Sequence, residues 1–466
     1  MPFRKQFSWE LSADYKSESH NMSKSFRLRL ILMPVISLIS GLLLVIGGAA
    51  SSPPQRAGAA ATTTRNAAIV ATTNAVLKET SEIRELSILR PVKSGAQSRS
   101  EIEHMVVRNL DEQTTPAEMH ATELALRKLG LVPEGFQYRP FVIKLLTEQV
   151  AGYYDPKVQE FYLADWIELE GQKPVMAHEL THALQDQHFN LRRFEQWPKG
   201  DGDAELAAHA LIEGDATLAM TLYMAKNPLV ALAFLRSLGS TATSSEEFKQ
   251  APRALRESLV FPYQEGSEWA TQLYKRGGWQ MVSDAFTKLP QSTEQIMHPE
   301  KYFIHEAPLK IALPDVRNLL GPGWKRIDYD VNGEWSYYLI LDEYIRAAAE
   351  SKRAAAGWAG DRYELYQGTK PGDIFLAQMT AWDSENDARE FFDAYVKRTW
   401  RRYENAKPKE IASTEVPGVQ AEKRDRQAWQ TTEGDVVVEL RGSRVLILEG
   451  IPDGSNTKAL LRTMWQ

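Results

Sequence analysis

The sequence predicts an α+β protein in which a mostly helical domain is followed by a smaller α+β domain. The chain has 466 residues, too many for one ordinary hydrophobic core. Apolar residues recur mainly at helical spacing between residues 100 and 310, whereas short β-branched and aromatic runs alternate with helices from about residue 311. The predicted divisions are residues 1–50, an N-terminal signal peptide or membrane anchor; 51–99, an Ala/Thr-rich linker; 100–310, the helical domain; and 311–466, a C-terminal domain of unknown role.

The first division carries the features of an export signal. Arg27 and Arg29 precede an apolar run, Leu30–Ile46, which ends in small residues. The run is about 17 residues long, at the lower edge for a membrane span. We expect this segment to enter a membrane at least transiently, and either to be cleaved or to remain as an anchor. The rest of the chain is then expected outside the cytoplasm, membrane-anchored or secreted.

The second division is predicted to be disordered over most of its length. Residues from Ser51 to about Thr80 are rich in Ala, Thr, Ser and Pro, a composition typical of linkers. Ordered structure is expected to begin near Ile83–Arg99.

Hydrophobic spacing places the remaining elements. Helices are predicted in both domains: Glu101–Leu110, Ala117–Leu129, Phe141–Val150, Val175–Phe189, Asp203–Ala225, Pro228–Leu238, Phe248–Leu259, Gly266–Arg276, Trp279–Phe286, Glu350–Ala359, Ser384–Trp400 and Thr457–Met464. Strands are predicted as a hairpin within Ala151–Asp165 and in the C-terminal domain: Ile327–Val331, Trp335–Leu341, Arg362–Tyr366, Ile374–Thr380, Val436–Leu440 and Val445–Gly450. The hairpin aromatics either pack a sheet or border an edge to which an extended peptide can add.

Composition excludes several kinds of chemistry. The chain contains no cysteine, so it has no disulfide, no thiolate metal ligand and no cysteine nucleophile. Its net charge of −6 gives no sign of nucleic-acid binding.

The segment with the clearest chemistry reads H-E-L-T-H, from His178 to His182. On a helix these two histidines are four residues apart and share a face, so they can grip one Zn²⁺. Glu179 lies one step round the helix, where it can reach a water at the metal and take its proton. The alternative is a helix that carries two surface histidines by accident.

The longer segment H-E-L-T-H-A-L-Q-D, His178–Asp186, resembles the metal-binding helix of thermolysin-type zinc metallopeptidases, the gluzincins. Those enzymes also place a small residue after the second histidine and an aspartate four residues after it, here Ala183 and Asp186. The E-G-D-A and S-T-E-Q-x-x-H-P-E-K-Y segments further along resemble a group of exported bacterial H-E-x-x-H proteins. The resemblance implies a zincin-like fold for the helical domain and peptide-bond hydrolysis by a metal-activated water.

A catalytic zinc of this kind needs a third protein ligand, which the resemblance places on a following helix as a glutamate. Glu205, His209 and Glu213 form one stripe on the predicted helix Asp203–Ala225, and any of them can face the metal. We favour Glu213, with His209 as the runner-up and a plain buried salt bridge as the alternative. Gly214 follows it, and a glycine within a helix suits a close approach of another backbone, here expected to be the metal helix.

Four further residues have predicted supporting roles. Asp186 lies on the metal face and is expected to hold a ligand imidazole or the helix that follows, although an exposed Asp is the alternative. Asp215 is a candidate for the same kind of support, at a spacing that departs from the gluzincin pattern, where position 217 would be the aspartate. His298 and Tyr302 are candidates to stabilise the oxyanion, although His298 can equally bond backbone.

The sequence therefore predicts a zinc-dependent endopeptidase that acts on protein or peptide substrates outside the cytoplasm. One alternative is an exported scaffold or binding protein whose H-E-x-x-H site is structural or vestigial. Another is a zinc hydrolase that acts on something other than a peptide.

Overall fold

The structure is a computed structural model that describes residues 59–166, 169–240, 246–411 and 425–466. The predicted signal or anchor segment, Leu30–Ile46, lies outside these residues. The described chain is α+β, with a helical N-terminal part and a sheet-rich C-terminal part, and this level of the fold prediction is confirmed.

The N-terminal part is built mainly of helices. They are α1 (Ala59–Arg84), α2 (Arg99–Gln113), α3 (Pro116–Lys128), α4 (Tyr138–Gln149), α5 (Lys173–Phe189), α6 (Gly202–Lys226), α7 (Pro228–Ser240), α8 (Glu246–Gln250), α9 (Arg253–Ala285), α10 (Thr293–Met297) and α11 (Pro299–Phe303). A small sheet completes it, with strands β1 (Lys93–Gln97), β2 (Gly152–Asp155) and β3 (Glu160–Ala164).

Helix α1 occupies much of the segment predicted to be disordered, so that prediction is wrong for residues 59–80. Alanine has the highest helix propensity of all residues, which the composition argument for a linker overlooked. The buried side chains Ile69, Val76 and Leu77 supply the apolar face of the helix. Val76 and Leu77 pack in one apolar cluster with Leu180 of α5. Tertiary packing thus orders a helix with only a few large apolar residues.

The small sheet has the strand order β1-β3-β2. The predicted hairpin is present as the antiparallel pair β2–β3, and β1, which was not predicted, pairs with β3 in parallel. Tyr153, Tyr154 and Phe161 are all buried, as expected of residues that pack the sheet. Strand β2 lies at one edge of the sheet, against α5.

The C-terminal part is one antiparallel sheet covered by helices on both faces. Its strands are β4 (Lys325–Asp330), β5 (Trp358–Gln367), β6 (Ile374–Trp382), β7 (Lys407–Pro408), β8 (Arg426–Thr431), β9 (Gly434–Arg441) and β10 (Arg444–Ile451). Its helices are α12 (Arg317–Leu320), α13 (Gly333–Ile345), α14 (Ala348–Ala355), α15 (Glu385–Arg402) and α16 (Thr457–Met464). The strand order is β4-β5-β6-β10-β9-β8-β7, and each neighbouring pair is antiparallel.

One predicted strand is wrong. Trp335–Leu341 lies within helix α13, which is buried all round. Spacing alone cannot tell a fully buried helix from a buried strand, because neither shows a polar face. The carboxylate of Asp361 accepts the backbone N–H groups of Asn332 and Gly333, both at 3.0 Å, and so satisfies donors at the start of the helix.

One large apolar core contains residues of both parts, including Leu211 of α6, Trp335 of α13 and Val438 of β9. The predicted division near residue 310 falls in a stretch, 306–316, that has neither helix nor strand. Among the described residues, no single helix is long and apolar enough to cross a membrane. Only α6 taken together with the segment 228–236, bent by 111°, meets the length and apolarity of a span.

Helices α6 and α9 cross in very close contact at two glycines. A Cβ added to Gly214 of α6 would lie 2.1 Å from the carbonyl oxygen of Gly266 in α9, and a Cβ at Gly266 would lie 2.2 Å from the carbonyl oxygen of Ala210. The close backbone approach expected at Gly214 is therefore present, but the partner is α9 and not the metal helix. This crossing sets the position of α9 relative to the residues beside Gly214.

We expect Gly214→Ala to lower the stability of the protein. Helix propensity alone would favour alanine by about 1 kcal/mol, whereas overpacking of this kind costs roughly 1–3 kcal/mol and more where backbone blocks the way. The free energy of unfolding, measured by thermal or urea denaturation, shows which of the two effects is larger. Thr221→Ala, at an exposed position of the same helix, is the matched control and should change stability little. A Gly214→Ala protein more stable than the wild type would contradict the close crossing.

Candidate metal centre

Helix α5 carries the H-E-x-x-H motif through the interior of the N-terminal part. Pro174 lies in its first turn, where its missing N–H costs no hydrogen bond, and Asn190 ends it with a left-handed backbone at φ 56°. Every residue from Pro174 to Asp186 is buried. The helix packs against α1 on one side and α6 on the other, so its polar residues must find partners inside the protein.

Three side chains from α5 and α6 converge on one point. His178 Nε2 lies 3.1 Å from Glu213 Oε2 and 3.1 Å from His182 Nε2, and His182 Nε2 lies 3.4 Å from Glu213 Oε2. These three residues form a group that can hold a metal ion. The structure thus brings Glu213 to the two histidines.

The cluster is removed from solvent. His178 and His182 have no exposed surface, and Glu213 is 1% exposed. Burial lowers the pKa of His178 and favours the neutral imidazole that a metal ligand requires. Burial by itself would raise the pKa of Glu213, but attraction from His182 and hydrogen bonds from both imidazoles lower it to about 2. Glu213 is therefore an anion at neutral pH.

Glu179 points toward the edge of the small sheet. Its Oε2 accepts the backbone N–H of Tyr154 in β2 at 3.0 Å, and the residue is fully buried. Because the N–H comes from a strand, the direction of this carboxylate is fixed by backbone and not by a flexible side chain. A carboxylate that accepts one N–H retains the capacity to take up a proton.

Gln185, which sequence reasoning missed, orients His182. Its Oε1 lies 2.8 Å from His182 Nδ1, and its Nε2 donates to Asp215 Oδ2 at 2.9 Å. Asp215, predicted to support a ligand, therefore reaches His182 through this amide. The spacing of three residues between His182 and Gln185 on one helix was the available signal, since such residues are neighbours on the helix surface.

Asp186 does not contact a ligand imidazole in the described structure. Its carboxylate accepts the hydroxyl of Tyr154 at 2.9 Å, the backbone N–H of Leu191 at 3.1 Å and the guanidinium of Arg90 at 2.7 Å. It therefore holds the chain that follows α5, at Leu191. It also holds Tyr154, whose backbone N–H binds Glu179.

Tyr263 of α9 is a further residue at this centre that the sequence did not reveal. Its ring stacks on that of His178, with centroids 6.0 Å apart. Burial, the charges of Glu213 and Glu179, and a hydrogen bond to Glu213 raise the pKa of the phenol, so it stays protonated and can donate. Tyr263 lies one turn before Gly266, so the glycine crossing brings it beside Glu213. It is 81 residues beyond His182, with no motif around it.

His298 and Tyr302 lie elsewhere. His298 Nε2 is 2.9 Å from Glu334 Oε1 of α13, and the Tyr302 hydroxyl donates to the carbonyl of Lys288 at 2.8 Å. Their neighbour Thr293 bonds Asp203, which is ten residues before Glu213 on α6, or about 15 Å along the helix. Within the described residues, no contact joins either side chain to the cluster. The polar groups of this segment instead dock it on α6, through Asp203, and on α13, through Glu334.

The other two members of the predicted stripe lie outside the three-residue group as well. His209 Nδ1 pairs with the backbone carbonyl of Glu205 at 2.8 Å, one turn along α6. Glu205 is itself buried.

Comparisons with known proteins add little at this centre. A family model described as a domain of unknown function, DUF8575, matches residues 319–461, which belong to the sheet-rich part and do not include His178, His182 or Glu213. No curated protein and no solved structure matches the chain.

We expect Glu213→Ala to abolish tight zinc binding and His209→Ala to preserve it, because only Glu213 shares the histidine cluster. Metal analysis of the purified full-length chain after equilibration with limiting zinc measures the difference. Both residues are buried on α6, so the two variants are matched for position and for loss of packing. The opposite pattern would show that His209 is the ligand.

Proposed function

We propose that this protein is a zinc-dependent endopeptidase that hydrolyses peptide bonds outside the cytoplasm. The observation that carries the proposal is the triangle of donor atoms from His178, His182 and Glu213. Its sides of 3.1, 3.1 and 3.4 Å match one face of a tetrahedron around zinc, whose edges are about 3.3 Å for bonds of 2.0–2.1 Å. Two neutral imidazoles and one carboxylate are also a donor set that catalytic zinc uses.

A zinc ion with an open fourth position polarises a carbonyl and lowers the pKa of water. The chain's own residues supply the rest. Glu179 is adjacent to a ligand and is aimed by the Tyr154 N–H, which suits it to take a proton from water and return it to the leaving amine. A structural zinc site has no need of such a carboxylate.

Tyr263 takes the role that the sequence assigned to His298 or Tyr302. Its phenol stays protonated beside Glu213, and its ring stacks on the imidazole of His178. A donor of this kind can bind the negative charge that develops on the carbonyl oxygen during hydrolysis.

A peptide can reach the centre only if the wall around it opens. A small apolar cluster borders His178 and contains Ala151, Val175, Met220, Phe234 and Tyr263. Helix α7 supplies Phe234, which is the only buried side chain among residues 228–236. We take α7 as the element that moves, because its other side chains among residues 228–236 are only partly buried or exposed and its outer face carries exposed leucines.

The arrangement also supports a zincin-like domain, in which an edge strand, an H-E-x-x-H helix and a second ligand helix adjoin one another. Here β2, α5 and α6 meet in that order. The basic and apolar pattern that ends at Ile46 supports a location outside the cytoplasm, either anchored or released.

The burial of the whole centre favours a second candidate, an exported scaffold or binding protein with a structural zinc. His178, Glu179 and His182 have no exposed surface, and structural sites are closed in this way. The two candidates differ in whether the protein with zinc bound needs Glu179 for its activity. A peptidase needs this carboxylate as its base, and a scaffold does not.

We expect Glu179→Gln to keep zinc and fold while losing cleavage by roughly 10²–10⁴-fold, the usual contribution of a general base. The glutamine oxygen can still accept the Tyr154 N–H but cannot take the proton. Chelator-sensitive hydrolysis of casein and zinc stoichiometry measure the two properties. Stoichiometric zinc without any hydrolysis by the wild type would favour the scaffold, and undiminished activity in Glu179→Gln would refute the proposed mechanism.

We expect Tyr263→Phe to lower kcat by roughly 10²–10³-fold, as loss of an oxyanion donor does, while zinc remains bound. Tyr302→Phe is the matched control. Each tyrosine is nearly buried, and each would lose one hydroxyl hydrogen bond. Equal activities in the two variants would remove Tyr263 from the mechanism, and a loss confined to Tyr302→Phe would restore the prediction made from the sequence.

A further inference from the structure

A continuous chain of polar contacts links the end of α1 to His182. Arg84 Nε donates to Asp215 Oδ1 at 2.5 Å, Asp215 Oδ2 accepts Gln185 Nε2 at 2.9 Å, and Gln185 Oε1 lies 2.8 Å from His182 Nδ1. None of the four side chains has exposed surface. Hydrogen bonds in such an interior are strong, and their loss leaves costly unpaired groups.

The direction of the Gln185 amide is set by what surrounds it. Its Nε2 faces two groups that can only accept, the carboxylate of Asp215 and the backbone carbonyl of Ile212 at 3.0 Å. Turning the amide over would place its oxygen against both acceptors. Its Oε1 must therefore face His182, so Nδ1 of that imidazole carries a proton. Nε2 is then the nitrogen that faces Glu213, and in the neutral ring it carries the lone pair that a metal needs.

Asp215 in turn depends on Arg84. A buried carboxylate without a cationic partner is expensive, and the guanidinium is its ion-pair partner in the described structure. Arg84 is itself fixed, because its Nη2 donates to Ser283 at 3.1 Å and its guanidinium lies over the Trp279 ring at 4.4 Å. Both of these partners belong to α9.

We propose that Arg84 is a positioning residue for the metal centre, which acts through Asp215 and Gln185 to fix the orientation and tautomer of His182. The inference rests on the proposed function in so far as His182 is taken as a zinc ligand. A purely structural role for Arg84, as a fastener of α1 to α6, is the competing explanation.

A double-mutant cycle on the full-length chain separates the two roles. Arg84→Gln removes the cation, and Gln185→Met removes the amide at similar volume. We expect each single change to weaken zinc binding by roughly 10–100-fold, as loss of an outer partner of a metal ligand does. In the double variant zinc binding should be no weaker than in Gln185→Met, because residues that act in series are not additive. The absorption spectrum of bound Co²⁺ should change in both single variants.

Arg398→Gln is the matched control, since Arg398 and Glu449 form another ion pair in which both side chains have no exposed surface, with Nη1 2.8 Å from Oε1. It should lower thermal stability as Arg84→Gln does, yet leave zinc affinity and the Co²⁺ spectrum unchanged. Two results would overturn the proposal. One is an Arg84→Gln protein that loses stability but keeps the zinc affinity and Co²⁺ spectrum of the wild type. The other is a double variant whose loss of zinc affinity is the product of the two single losses.

Arg84→Lys covers the case in which Arg84→Gln does not fold. Lysine keeps the charge but cannot reproduce the forked contacts to Asp215 and Ser283, so weakened zinc binding is still expected and wild-type affinity would overturn the role. The wild-type protein separates this proposal from the broader one. Zinc binding without peptide hydrolysis would refute only the peptidase, whereas a wild type that binds no zinc would refute both.

Discussion

Two of the buried carboxylates of helix α6, those of Glu213 and Asp215, are two residues apart, and their need for positive partners organises the centre. Asp215 is met by Arg84, which draws in the end of α1. Glu213 meets the imidazoles of His178 and His182, which draws in α5. Burial favours neutral His178, so a bound cation is what would balance the charge of Glu213. The same electrostatic demand therefore explains both the packing of three helices and the proposed affinity for a metal.

The glycine crossing converts this pairing into a specific geometry. Gly214 lies between the two carboxylates in sequence, so the point at which α9 touches α6 is also the point at which the charges sit. That contact brings Tyr263 beside Glu213. Trp279 and Ser283, which contact Arg84, lie beyond a break in α9 at Gly277 and Gly278, where the backbone is not helical. The part of α9 before this break therefore borders Glu213, and the part after it holds the arginine that pairs with Asp215.

The sequence could predict those features that depend on interactions between residues close together in the chain. Local periodicity predicts that the two histidines of α5 share one helix face. It also predicts the helix that carries Glu213 and most strands of the large sheet. The sequence failed for α13, where burial on every side erased the period, and for α1, where composition concealed a few well-placed apolar residues. It also failed for Tyr263, Gln185 and Arg84, whose roles depend on contacts between distant segments that no local pattern records.

The two sides of the centre differ in the physics that holds them. Toward α1 and α6, the ligands are backed by directional hydrogen bonds and ion pairs between fully buried groups, which are costly to break and resist displacement. Toward α7, the wall is made of apolar contacts around Phe234, which have no preferred direction and can part and re-form at lower cost. In the proposed function the metal site stays rigid while it admits a substrate, and this division meets both needs. We therefore propose that the opening lies on the α7 side and that α1 stays in place, because detaching α1 would remove Arg84 from Asp215.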